Sequence, residues 1–109
     1  MRLYIPTIGA TLVLAEPWTI TVYNERRNST LLKALGKSVD YYRNGYGKPV
    51  MTHTFPEGTL LNVARIYIRD GSSEYDSVTF RAISPKGKGR VRFWAKLDEV
   101  NRMVIRGDE

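Results

Sequence analysis

The sequence predicts a single all-β domain, and three observations carry that prediction. Apolar and β-branched residues recur with a period of two in short runs, as in strands buried on one face. Turn-forming residues punctuate these runs every ~8–12 residues. Helical spacing is confined to one short stretch. The chain has 109 residues, 42% of them hydrophobic and 26% charged, which is enough apolar material for a core, matches the ~100–150 residues most common for one domain, and shows no linker between its halves. Residues 1–109 are therefore read as one domain.

The elements follow in order. Thr11-Leu12-Val13-Leu14-Ala15 opens after Gly9 and is closed by Pro17, a β-branched and aliphatic strand. In Trp18–Tyr23 the even positions are Trp, Ile and Val and the odd ones Thr, Thr and Tyr, so the even face should point inward. The polar run Asn24–Asn28 precedes a short helix. Asn28, Ser29 and Thr30 are candidate N-caps, Leu31, Leu32 and Leu35 supply its apolar stripe, and Gly36 stands where a C′ glycine ends a helix. Asp40–Pro49 is rich in Tyr and Gly and reads as a long exposed loop, followed by one short strand at Val50-Met51-Thr52. Three longer strands come next: Thr59–Arg69, Ser77–Ser84 and Arg90–Leu97. Asp98–Asn101 forms a helical or 3₁₀ turn, and Met103–Arg106 a short last strand. About six short strands, one short helix and a closing turn before the final strand favour an SH3-like barrel over an OB-like one.

Charge gives the functional lean. Seventeen Lys and Arg face eleven Asp and Glu, a net charge of +6 and a pI near 9.8, which suits polyanions. Parity then sorts the charge by face. In the first long strand Leu60, Asn62, Ala64, Ile66 and Ile68 share the core face, and Leu61, Val63, Arg65, Tyr67 and Arg69 the other. In the second, Val78, Phe80 and Ala82 face the core and Arg81 faces out. In the third, Val91, Phe93, Ala95 and Leu97 face in, and Arg90, Arg92, Trp94 and Lys96 face out. An antiparallel meander brings Arg65, Tyr67, Arg69, Arg81, Arg90, Arg92, Trp94 and Lys96 onto one surface, with Lys86 and Lys88 on the hairpin tip beside it. No acidic residue lies on the three outward faces. This is the composition of a single-strand nucleic-acid platform, in which Arg and Lys track phosphates while bases stack on Trp or Tyr, and Gly87 and Gly89 leave backbone amides open to a phosphate. Sequence-tolerant nucleic-acid binding is the leading expectation. The same residue types dominate protein–protein hot spots, so a protein-docking surface is the alternative.

Other chemistries lack their residues. There is no cysteine, which removes disulfides, thiolate catalysis and cysteine-ligated zinc and fits a cytoplasmic location. His53 is the only histidine and has no partner motif for metal binding or nucleophilic catalysis. Glu25-Arg26-Arg27 reads as a salt-bridged, solvated turn, and Gly45-Tyr46-Gly47-Lys48 lacks the context of a P-loop. No enzyme activity, no metal and no small-molecule cofactor are expected. Pro6, Thr7, Gly9 and Thr11 interrupt the stretch that a signal peptide needs, and no apolar run approaches the ~20 residues of a membrane span.

Pro17-Trp18-Thr19 with Tyr23-Asn24-Glu25-Arg26-Arg27-Asn28, then Asp76-Ser77-Val78-Thr79-Phe80 and Arg92-Phe93-Trp94-Ala95-Lys96-Leu97, resemble the style of small basic phage-encoded proteins across about half of the chain. That resemblance implies a binding role, on nucleic acid or as an inhibitor or adaptor docked on a host enzyme or defence complex. It carries over no functional residue.

Overall fold

Trp18, Ile20 and Val22 alternate with more exposed residues along β2 (Trp18–Tyr23), and their inward side chains form one wall of the core. The computed structural model describes residues 5–40, 45–68 and 76–107. Besides β2 it contains β1 (Thr11–Val13), β3 (Pro49–Phe55), β4 (Leu60–Tyr67), β5 (Ser77–Ile83) and β6 (Arg90–Lys96). A 3₁₀ turn at Arg26–Asn28 leads into α1 (Ser29–Ala34), and α2 (Leu97–Val100) follows β6. Strands β1-β4-β5-β6 form one antiparallel sheet, and β2 and β3 form a second. The all-β class is as the alternation predicts.

The sheets meet over a core rich in aromatic rings. Phe55 of β3 stacks on Phe93 of β6 at 4.8 Å, and Trp18 meets Phe80 of β5 edge-on at 5.7 Å. Leu31 and Leu32 of α1 are fully buried against the same cluster. The helix ends as its glycine predicts. Gly36 has φ +80°, and the Gly36 and Lys37 amides donate to the carbonyls of Lys33 and Leu32, the two bonds of a Schellman cap.

The expected barrel does not close, because the β6 edge that a neighbouring strand would use is already occupied. The Trp94 amide donates to Asn28 Oδ1 at 2.9 Å, and the Arg92 amide donates to Thr30 Oγ1 at 2.8 Å. Thr30 Oγ1 in turn donates to the Arg92 carbonyl. On the β2 side, the Thr21 amide donates to Glu99 Oε2 at 2.8 Å and Trp18 Nε1 to the Glu99 carbonyl at 2.8 Å. Side chains thus take the place of a β2–β6 ladder, leaving two packed sheets.

Three element expectations are corrected. The strand expected at 50–52 is seven residues long. The last strand expected at Met103–Arg106 is reduced to a bridge between Leu14 and Ile105, with the Ala15 amide donating to the Val104 carbonyl and the Arg106 amide to the Val13 carbonyl. In β4 the core face is Leu61 and Val63, both buried, whereas Leu60 is 52% and Ile68 50% exposed. Ile68 lies beyond the last residue of β4, and Leu60 is turned outward by a bulge: Val63 pairs with Phe80 but Arg65, not Ala64, pairs with Thr79. One extra residue reverses the parity. Beyond it Ile66 leans on the core, and Arg65 and Tyr67 point outward as predicted.

Candidate functional site

The outward surface of β4, β5 and β6 is set by register. Across β5 and β6, Ser77 stands opposite Lys96, Thr79 opposite Trp94, Arg81 opposite Arg92 and Ile83 opposite Arg90. Arg65, Tyr67, Arg81, Arg90 and Arg92 are exposed. Arg69 lies outside the described residues, as do Tyr41 and Tyr42 of the Tyr-rich loop. Lys86 and Lys88 are exposed on the β5–β6 hairpin. The Gly87 amide, however, donates to the Ser84 carbonyl and the Lys86 amide to Ser84 Oγ. Those amides serve the turn, and the hairpin offers its two ammonium groups instead.

Trp94 corrects the expectation of an open stacking platform. Its side chain lies on the outer side of β6 but is only 7% exposed. Tyr23 covers one face of the indole and the Arg27 guanidinium lies over it at 5.1 Å. The same guanidinium lies 5.1 Å from the Tyr67 ring, and Lys96 Nζ sits 5.3 Å from the Tyr23 ring. Lys96 is consequently half-buried rather than free. The Trp94 indole nitrogen and the neighbouring Thr79 hydroxyl are buried with no hydrogen-bond partner among the described residues. Arg65 donates to the Tyr67 hydroxyl at 3.4 Å. This bond holds the phenol below the usual tyrosine range, and the charges of Arg65, Arg27 and Arg92 act in the same direction.

Four of the arginines line a groove of about 270 Å³ between α1 and the β5–β6 face, whereas Arg65, Lys86 and Lys88 lie outside it. Arg27, Arg81, Arg90 and Arg92 line it with Ser29, Thr30 and Val91, and among the described residues no carboxylate does. Arg27 is also paired with Glu25, as the sequence predicts for that turn. Arginine guanidiniums around one concavity have the chemistry to bind a phosphate-type anion, since the planar fork matches two oxygens at once, and the Thr30 hydroxyl is already committed to the Arg92 carbonyl. Alternation finds Arg81, Arg90 and Arg92, whereas Arg27, Ser29 and Thr30 escape it. Their signal is the polar run leading into a helix too short to stand alone, which must dock and so brings its first residues to the sheet.

Among the described residues no helix is long and apolar enough to cross a membrane. In comparisons with known proteins, no family model, no curated sequence and no solved structure matches the chain.

Proposed function

We propose that the protein binds nucleic acid with little sequence preference, through phosphate contacts on the outer face of β5 and β6. The observation that carries this reading is the pairing of Arg81 opposite Arg92 in one register, inside a groove that Arg27 and Arg90 complete. Like charges directly across a sheet are destabilising, and a bound polyanion relieves that repulsion. Tyr67, 41% exposed, and the hairpin lysines extend the surface. Phosphate contacts carry no base identity, so sequence tolerance follows.

The test is fluorescence anisotropy with labelled oligonucleotides at two salt concentrations. Three to four phosphate contacts on a single strand give a log–log salt slope of about −2 to −3. Changing Arg90 and Arg92 together to Glu abolishes binding with the fold retained, since both side chains are exposed. Absence of binding by the wild-type protein at low salt overturns the proposal. So does a lysate pull-down in which no nucleic acid is recovered without nuclease and a protein is retained equally with and without it.

A further inference from the structure

The outer surface continues past the arginines and changes character. Arg81 and Arg90 also line a second hollow of about 240 Å³, shared with Leu60, Asn62 and Ile83. Leu60 and Ile83 in turn line a third hollow of about 520 Å³, at the rim formed by the β3–β4 and β5–β6 turns. Its other walls include His53, Phe55, Pro56 and Pro85. Leu60 is 52% and Ile83 62% exposed, so two aliphatic side chains stand in water between a basic hollow and an apolar one.

We propose that the apolar end receives unpaired bases, so that the preferred ligand is single-stranded rather than duplex nucleic acid. This rests on the phosphate-binding reading above. The argument is complementarity along one tract. A duplex presents phosphates to the arginines but keeps its base faces stacked inside, leaving Leu60 and Ile83 uncovered. A single strand offers an apolar π-face within a nucleotide of each phosphate. Among the described lining residues of the third hollow none is a lysine, arginine or carboxylate, and its volume falls in the range of ~300–1,000 Å³ typical of small-ligand sites. The His53 ring, half-buried and edge-on to Phe55 at 4.6 Å, is a planar partner for a base, and Pro56 and Pro85 add apolar contact. Trp94 cannot serve, because it is covered. An acidic protein segment with apolar anchors has the other chemistry that could span the tract, and the test separates it.

The experiment compares a labelled oligo-dT with a duplex of equal length, at one low salt concentration, using the full chain. The single strand binds about tenfold tighter or better, the effect of roughly one stacked base. Leu60→Ser with Ile83→Ser removes about tenfold from single-strand affinity and leaves duplex affinity unchanged; Arg81→Gln weakens both. Circular dichroism confirms that the variants are folded. Equal affinities for the two ligands, both sensitive to Arg81→Gln, overturn the single-strand assignment and leave the phosphate reading standing. No binding of either ligand overturns both, as does exclusive binding of an acidic apolar peptide in the same assay.

Discussion

Tyr23 and Trp94 lie face to face, with ring centroids 4.8 Å apart and planes 9° from parallel. Their contact joins β2 to β6 on the side of the large sheet away from the aromatic core. Arg27 from the turn before α1 lies over Trp94 and reaches Tyr67 of β4. Lys96 and Arg27 flank the Tyr23–Trp94 pair, each cation placed against an aromatic ring. This stack is a seam holding four segments together.

Trp94→Ala is therefore expected to act on stability. The change opens a space beneath Tyr23 and Arg27 and lowers unfolding free energy by ~3–5 kcal/mol, as for other large-to-small changes at buried aromatics. Urea unfolding measures it. A shift of under ~0.5 kcal/mol, the usual range for a surface site, would mean that the indole is not packed as described.

Arg81→Thr is expected to have opposite effects on two properties. Removing one of two opposed arginines raises stability at low salt by roughly 0.2–1 kcal/mol, and the gain shrinks as salt screens the pair. The same change weakens oligonucleotide binding and reduces the salt slope by about one phosphate contact. Thermal unfolding and anisotropy at matched salt concentrations check both. Lys96→Ala should move the slope less, because Lys96 is half-buried against Tyr23.

Glu99→Ala leaves the part-buried Thr21 amide without its acceptor. The expected loss is ~1–3 kcal/mol. Glu99→Gln keeps an oxygen for Thr21 and should recover part of it, while the Trp18 bond to the Glu99 carbonyl survives in both variants. Equal losses from Ala and Gln would show that the carboxylate charge, not the acceptor, is what matters.

His53 gives the pH dependence its sign. Burial lowers its folded-state pKa from the ordinary 6.5. The unfolded chain then binds the proton more readily, and stability rises with pH between the two values. The contribution is held above pH 6.5 and lost as pH falls through the folded-state value. Unfolding midpoints between pH 7 and pH 5 should fall further for the wild type than for His53→Gln.

Where a segment's own alternation decided its environment, the sequence was readable. β2, β5 and β6 have one consistent apolar face, and Gly36 marks the helix end by its backbone freedom. β3 was only partly visible, because Thr52, His53 and Thr54 interrupt the apolar pattern and its one fully buried residue is Phe55 at its end, with Met51 only partly buried against the core. The β4 bulge was hidden because Leu60–Val63 contains apolar residues on both faces, so either parity fits until partners are known. At the site, Arg81, Arg90 and Arg92 follow from parity alone. Trp94 does not, since its cover comes from Tyr23 and Arg27, which are distant in sequence. Solvent access at a given strand position depends on which element folds over it, and local pattern carries no record of that.

Asn28 and Thr30 also decide how this protein can associate. Their side chains hold backbone groups of β6 that an incoming strand would need, and the backbone of Val104 and Arg106 holds Ala15 and Val13 at the end of β1. A long hydrogen-bonding edge is otherwise a template for edge-to-edge aggregation. Strand addition to the large sheet would first require α1 or the C-terminal segment to peel away. Polymerisation through that sheet is thereby tied to local unfolding, while partner binding on its outer surface needs no such rearrangement.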